Sequence, residues 1–199
     1  KVLRGLAFPL LLALPWPVQA GFDEGMTAYA NGNYPLALHE FRAAAEQGDL
    51  YAQYNLGMMY AFGQGVAKDE ELAVGWYRRA AERGFAPAQH SLGQAYEEVA
   101  GVWRNEALAV DWYRKAAEQG YGKAQFSLGL MYARGLGVQA DLVHAYKWFH
   151  LAALSGVPYA ERNRDNAERK MSTRQIEQAM QLAMHWEPRG ESGSGFRGR

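Results

Sequence analysis

A period of 36 residues runs through most of the sequence. Glycine recurs at this spacing as Gly48, Gly84, Gly120 and Gly156. The same spacing relates further sets of residues: Ala52, Ala88, Ala124 and Ala160; Leu56, Leu92 and Leu128; Tyr60, Tyr96 and Tyr132; and Ala80, Ala116 and Ala152. Self-similarity at a period of this length is typical of repeat arrays, in which each unit packs against its neighbours.

Each unit is predicted to form two helices. The first has Ala52, Leu56 and Tyr60 at every fourth position, which places them on one helical face. The second also has its small and aromatic residues on one face: Ala73, Trp76, Tyr77, Ala80 and Ala81. We therefore expect Trp76 and its counterparts Trp112 and Trp148 to pack in the core, and we favour this over a row of tryptophans that stacks on sugars.

Short polar residues mark the predicted helix starts. Asp69, Asn105 and Asp141 stand where the second helices begin, and their side chains can accept hydrogen bonds from the first free backbone N–H groups. Ser172 and Gln175 have the spacing of a capping box further on. The glycine that closes each unit is predicted to adopt the left-handed conformation that ends a helix.

The pattern of one unit is long enough to compare with known repeats. It is Ala52-x-x-x-Leu56-Gly57-x-x-Tyr60-x-x-Gly63-x-Gly65-Val66-x-x-Asp69-x-x-x-Ala73-x-x-Trp76-Tyr77-x-x-Ala80-Ala81-x-x-Gly84. This pattern resembles the consensus of the Sel1-like repeat family, which is related to tetratricopeptide repeats, over residues 49–84, 85–120 and 121–156. The resemblance implies an all-α fold, an α-solenoid whose antiparallel helix pairs form a right-handed superhelix. It also implies the family's usual role as an adaptor or scaffold in protein complexes.

The segments on either side of the three units differ from the pattern. Residues 21–48 are predicted to form a shorter unit closer to the tetratricopeptide form, with a tight turn at residues 31–33. Residues 157–186 are predicted to form capping helices, because a repeat array needs an atypical end to cover its last apolar face. Residues 187–199 are rich in Gly, Ser and Arg and are predicted to be a disordered tail.

The first twenty residues have the composition of a secretory signal peptide. Lys1 and Arg4 precede an apolar stretch, and Val18-Gln19-Ala20 ends in small residues at the positions that a signal peptidase recognises. An uncleaved membrane anchor is the alternative, but the stretch is short and rich in proline. Cleavage after Ala20 would place the protein in the periplasm or outside the cell. No later run of 18 apolar residues predicts a membrane span after cleavage.

Composition and motif searches argue against several classes of function. There is no cysteine, and the net charge is zero, so the sequence predicts neither a thiolate site nor a nucleic-acid partner. Some Sel1-like proteins with a disulfide in every repeat have been linked to penicillin binding, which the lack of cysteine puts in doubt here. The loops at residues 63–65 and 135–137 are interpreted as helix-to-helix turns and not as phosphate-binding loops. No catalytic residue, cofactor or metal site is predicted, since the histidines do not form a ligand pattern.

The first helices of the three units vary on one face. Positions 52, 56 and 60 keep the same residue types, whereas the opposite side of the helical wheel changes from unit to unit. Because the first helices of tetratricopeptide-like superhelices line the concave groove, we predict that the variable face binds a protein or peptide. The candidates are Tyr51, Tyr54, Met58 and Phe62; then His90, Gln94 and Glu98; then Lys123, Leu130 and Arg134.

Other interpretations of this face remain open. Variable positions such as Gln94 and Lys123 can also be unconstrained surface. The rings of Tyr54 and His90 can pack against the neighbouring helix. Tyr51, Met58 and Phe62 favour a binding site, because apolar side chains clustered on an exposed face are typical of interaction surfaces.

A second candidate site is Trp103, which lies in the loop between the two helices of its unit. Tryptophan is enriched at the energetic centres of interfaces. The alternative is that the indole folds back over its own turn.

Three functions are compatible with this sequence. We favour an exported adaptor that binds a partner in its groove. An envelope enzyme or carbohydrate-active protein would need a pocket with converging groups of strongly shifted pKa, and a structural subunit would use its ends to oligomerise. The sequence identifies neither the partner nor the oligomeric state.

Overall fold

The described part of the chain is entirely helical. The computed structural model describes residues 18–98 and 100–189, with side chains from residue 21 on. These residues contain ten helices and no strand. The helices are α1 (Val18–Ala30), α2 (Tyr34–Glu46), α3 (Leu50–Phe62), α4 (Glu70–Glu82), α5 (Ala86–Glu98), α6 (Glu106–Glu118), α7 (Gly122–Arg134), α8 (Leu142–Leu154), α9 (Ala160–Glu168) and α10 (Thr173–Met184). The predicted all-α solenoid is thus confirmed.

The helices pack in sequence order. From α1 to α8, each helix packs against the next helix in the chain. Helices α9 and α10 both pack on α8. Residues 1–17 of the predicted signal peptide and residues 190–199 of the predicted disordered tail lie outside the described residues, so these parts remain predictions. The first three residues of that tail, 187–189, are described, and Arg189 is hydrogen-bonded to Glu118. Among the described helices, none combines the length and the apolar character that a membrane crossing requires.

The predicted helix caps are present. The carboxylate of Asp69 accepts a hydrogen bond from the backbone N–H of Leu72 at 2.9 Å. Asn105 and Asp141 cap α6 and α8 in the same way, and Ser172 forms the predicted capping box with Gln175. The glycines that close the units have positive φ, for example 89° at Gly84 and 88° at Gly120, as predicted.

The glycine of each Leu-Gly pair makes room for an aromatic ring of the next helix. A Cβ atom added at Gly93 would lie 2.6 Å from the Tyr113 ring, and Gly57 and Gly129 have the same relation to Tyr77 and Phe149. Contacts this short are not tolerated between carbon atoms. The two helices of a unit can therefore approach closely only where the first one has no side chain.

The prediction that all three repeated tryptophans lie in the core is wrong. Trp148 is 4% exposed, but Trp76 and Trp112 are only half-buried. The inner position belongs instead to the next residue along the helix, such as Tyr113, because this is the ring that fits over the glycine. Trp112 does not share this inner position, and the Lys115 ammonium lies 3.9 Å from its ring centroid.

Two polar contacts recur between neighbouring units and were not identified from the sequence. The buried Gln53 donates from Nε2 to the carbonyl of Ala45 at 3.1 Å. Gln89 and Gln125 form the same bond to Ala81 and Ala117. A buried amide is costly unless it is hydrogen-bonded, so this bond fixes how one unit sits on the previous one. The 36-residue spacing of these glutamines was the signal that could have revealed them.

The second repeated contact joins an arginine to a tyrosine of the next unit. The guanidinium of Arg42 donates to the Tyr60 hydroxyl at 2.8 Å. Arg78 and Arg114 donate in the same way to Tyr96 and Tyr132. The repeated Tyr60 position therefore has a polar role at the junction in addition to its packing.

Candidate functional site

One groove brings together most of the predicted site residues. It lies between α3 and α5, is completed by the start of α7, and encloses about 360 Å³. The predicted residues that line it are Tyr54, Met58, Phe62, His90, Gln94, Glu98 and Lys123. We call this space the α3–α5 groove.

One wall of the α3–α5 groove is apolar and open to solvent. Phe62 is 65% exposed at the end of α3, and Met58 and Ala61 line the groove beside it. The Tyr54 ring is held more deeply, since its centroid lies 5.8 Å from that of Tyr77 and 5.7 Å from that of Phe85. Packing against a neighbouring helix therefore explains Tyr54 in part, but it does not explain the exposed Phe62.

Charged and polar groups line the rest of the groove. Glu98 and Gln94 are exposed on α5, and Lys123 is exposed near the start of α7. An apolar wall beside a few polar groups suits a peptide with one apolar anchor and polar flanks, because polar groups at fixed positions orient what the apolar surface binds.

His90 lies at the floor of the groove and not on an exposed surface. It is 8% exposed, and its ring packs 5.4 Å from that of Tyr113 and 5.6 Å from that of Tyr121. Its Nε2 lies 3.2 Å from the Ser127 hydroxyl. The pKa of His90 is lowered to about 4, chiefly because burial disfavours the charged ring and in smaller part because the Lys123 charge lies nearby. The neutral ring is therefore part of the packing between units, as the alternative interpretation proposed.

We expect this burial to make the stability of the chain depend on pH. His90 titrates near 6.5 when unfolded and near 4 when folded. Between these values the unfolded chain binds more protons, so the free energy of unfolding should fall as the pH is lowered from about 6.5 towards 4. Urea denaturation at several pH values should show a shallower dependence for His90→Gln than for wild type. The exposed His39, changed to Gln, is the matched control, and equal slopes for the His90 variant and wild type would contradict the assignment.

Three of the residues predicted on the variable face of the first helices lie outside the α3–α5 groove. Tyr51 is exposed, but its ring packs 4.9 Å from that of Phe85 and 5.9 Å from that of Phe22. Leu130 and Arg134 lie two to three turns beyond Lys123 on α7, whereas only the start of α7 reaches the groove. The structure does not bring these three together with the rest.

Trp103 stands apart from the groove. It is 92% exposed in the loop between α5 and α6, so the alternative in which the indole folds back over its turn is wrong. Its neighbour Arg104 is ion-paired with Glu106 at 2.6 Å. Trp103 remains a second candidate contact, separate from the groove.

The sequence analysis also missed part of the groove. Glu70 and Val74 come from α4, and Ser91 and Tyr121 complete the wall around His90. The helical wheel compared only first helices with one another, so Glu70, Val74 and Tyr121, which come from a second helix and a loop, could not be found. Ser91 lies on the first helix α5 but was not among the residues selected on the variable face. Within the described residues no three acidic or histidine side chains are grouped to hold a metal ion.

Comparison with known proteins adds a family match. The model of the Sel1 repeat matches residues 25–49, 50–85, 86–121 and 122–157. Among solved structures, c5321, described as a protective antigen of uropathogenic Escherichia coli strains with an SLR fold, is 36% identical with a TM-score of 0.79. That match covers 85% of this chain and 37% of the other, so this chain spans little more than a third of that relative. A Sel1 repeat protein from Oxalobacter formigenes is 34% identical with a TM-score of 0.70, over 82% of this chain and 70% of the other. No curated protein matches the sequence significantly.

Proposed function

Because the chain belongs to the Sel1 repeat family, whose members are typically non-catalytic scaffolds for protein–protein interaction, we propose that it is an exported adaptor. Its ligand in this proposal is a peptide segment of a partner protein, bound in the α3–α5 groove. Export rests on the basic and apolar residues that precede Gly21.

The observation that supports this site is the apolar wall of the groove, in which Phe62 is exposed and Met58 and Ala61 are partly buried beside it. Folding buries large apolar side chains where it can, so an exposed phenylalanine beside a methionine on a concave surface suggests that a partner covers them. Methionine adapts to partners of irregular shape, and aromatic side chains contribute strongly to interface energy. A space of about 360 Å³ accommodates a few side chains, which suits a short peptide anchor.

The charges along the groove suggest how such a peptide is oriented. Glu98 lies on α5 and Lys123 lies on α7, so opposite charges stand at successive units. Glu70 is paired with Lys68 at 2.6 Å. A peptide that carries a basic residue next to its apolar anchor and an acidic residue further from it would match Glu98 on α5 and then Lys123 on α7.

Changing Met58 and Phe62 together to glutamate should weaken peptide binding by at least about tenfold, which corresponds to about 1.4 kcal/mol. Two carboxylates in the apolar wall would have to be desolvated by the anchor of the peptide. The ligands are peptides selected from a displayed random library on the purified wild-type chain. Their dissociation constants are measured by fluorescence anisotropy.

The control applies the same chemical change elsewhere. Leu36 and Leu108 are exposed leucines on the second helices α2 and α6, and neither lines the groove. Leu36→Glu with Leu108→Glu should leave peptide affinity unchanged, and circular dichroism should show both double variants folded. If the selected peptides bind the folded Met58/Phe62 variant as tightly as wild type, the α3–α5 groove is not the binding site.

A further inference from the structure

The segment that follows α10 packs back onto the repeat array. The indole of Trp186 makes an edge-to-face contact with Trp148 at a centroid distance of 6.1 Å. The backbone N–H of Arg189 donates to the Glu118 carbonyl at 2.7 Å, and its guanidinium donates to the Glu118 carboxylate at 3.3 Å. Between them, Pro188 lies against Gly120.

These contacts define a cleft that is built from repeated residues. We call it the Trp148 cleft, and it consists of Glu118 at the end of α6, Gly120 in the turn and Trp148 on α8. It holds four successive residues: tryptophan, glutamate, proline and arginine. The aromatic ring contacts Trp148, the proline lies beside the turn at Gly120, and the arginine binds Glu118.

The same three residue types recur 36 residues earlier in the chain. Glu82, Gly84 and Trp112 form the counterpart, which we call the Trp112 cleft. It is an open space of about 390 Å³ on the second-helix side of the array. The turn has the same backbone conformation, since φ is 89° at Gly84 and 88° at Gly120. Among the described residues, no backbone N–H donates to the Glu82 carbonyl in the way that Arg189 donates to that of Glu118.

The Trp112 cleft also differs from the counterpart one unit earlier. There, at Gly48 and Trp76, the guanidinium of Arg83 donates to the Gly48 carbonyl and occupies the turn. The residue equivalent to Arg83 in the Trp112 cleft is Gln119, which instead donates to the Gln89 side chain at 2.8 Å. The chain thus covers the turn of one cleft with an arginine and packs its own segment into another. In the cleft between them Lys115 lies over the Trp112 ring, and Glu118, Gln119 and Arg189 also line the space.

We propose that the Trp112 cleft binds an extended segment of a partner protein in which an aromatic residue is followed, after one residue, by proline and arginine. The aromatic ring packs on Trp112 as Lys115 moves aside, the proline lies on Gly84, and the arginine binds the carboxylate and carbonyl of Glu82. Arg189 also lines this cleft, but its guanidinium is paired with Glu118. No ion pair between the described residues involves Glu82, so its carboxylate can receive a second arginine. The cleft shares no lining residue with the α3–α5 groove, so this inference does not depend on the proposed function.

The test uses a peptide copied from the chain itself. The acetylated and amidated hexapeptide His-Trp-Glu-Pro-Arg-Gly, which corresponds to residues 185–190, is titrated into the full chain by calorimetry. We expect saturable binding to one site. Alanine in place of the peptide's tryptophan, or glutamate in place of its arginine, should weaken binding at least about tenfold.

The protein variants locate the site. Glu82 is exposed, so Glu82→Lys should fold normally and weaken peptide binding at least about tenfold. Glu46 is its counterpart one unit earlier, and Glu46→Lys should leave binding unchanged because Arg83 covers that turn. The Met58/Phe62 double variant should also bind the hexapeptide as wild type does, which separates this test from that of the α3–α5 groove.

Two results would overturn the proposal. One is the absence of saturable binding by the hexapeptide to the folded wild-type chain. The other is unchanged affinity in both Glu82→Lys and Trp112→Leu, which would show that the peptide exchanges with residues 186–189 in the Trp148 cleft or binds elsewhere.

Discussion

Replacing Tyr113 with alanine is expected to lower the free energy of unfolding by about 3–5 kcal/mol. The Tyr113 side chain is fully buried in the middle unit, where its ring lies over Gly93. Its hydroxyl donates to the Glu97 carboxylate at 2.7 Å. Alanine would leave a cavity between α5 and α6 and would leave that carboxylate without its donor. The loss should be measured by urea denaturation followed by circular dichroism.

Two matched variants divide this effect into its parts. Tyr113→Phe keeps the ring and removes only the hydrogen bond, so it should cost about 1 kcal/mol. Trp112→Ala removes a larger but half-exposed side chain and should cost less than Tyr113→Ala. A cost for Trp112→Ala equal to or above that of Tyr113→Ala would show that the tryptophan, and not the tyrosine, fills the inner position.

The position of Tyr113 also predicts the form of the transition. Each unit contacts only its neighbours, so the middle unit connects the two halves of the array. Weakening that connection should allow the halves to unfold separately, which would appear as a lower denaturant dependence or a second transition.

Replacing Gly137 with alanine is expected to cost about 3 kcal/mol, the second large effect. Gly137 has a φ of 65°, where a side chain adds about 1–2 kcal/mol of strain. A Cβ atom at this position would also overlap the backbone carbonyl of Glu106, at the start of α6. Because the obstacle is backbone and not a flexible side chain, the loop would have to shift, which typically adds about 1–3 kcal/mol.

The control for Gly137→Ala is another glycine of the same conformation. Gly156 has a φ of 73°, and no atom lies near the place where its Cβ would be. Gly156→Ala should therefore cost only the conformational strain, about 1 kcal/mol. The difference between the two free energies of unfolding measures the overlap with Glu106. Equal costs would mean that the loop does not rest on α6.

The helices could be predicted from the sequence because their determinants are local. Asp69 caps its helix through a residue three positions away, and the stripe of Ala52 and Leu56 follows from helical geometry alone. The choice between Trp112 and Tyr113 could not be made in this way. Both positions hold an aromatic residue in each of the three 36-residue units, and their side chains point about 100° apart around the helix. Only the partner helix, with its glycine at position 93, determines which ring points inward.

The candidate site was predictable to a similar extent. Met58, Phe62, Gln94 and Glu98 line one groove because they share one face of first helices, which the helical wheel could show; that they bind a partner stays a prediction. His90 lies on the same face, but it is buried by Tyr121 of the next unit, which a comparison of first helices alone does not include. Tyr54 and Phe85 make the same contact at the same separation one period earlier, so the repeat was a signal that could have revealed it. The Trp148 cleft was beyond such reasoning altogether, since Trp186 reaches it by folding back over a helix pair.

The glutamine bond at each junction has a consequence for the history of the chain. Gln53, Gln89 and Gln125 all bind the carbonyl eight residues before them, so the joints between units are interchangeable. Recombination between two repeats of the gene in register would delete or duplicate one whole unit and still leave every joint with its own amide bond. Arrays of this kind can therefore change length in single steps without passing through an unstable intermediate, and each added unit brings a fresh surface on which selection can act.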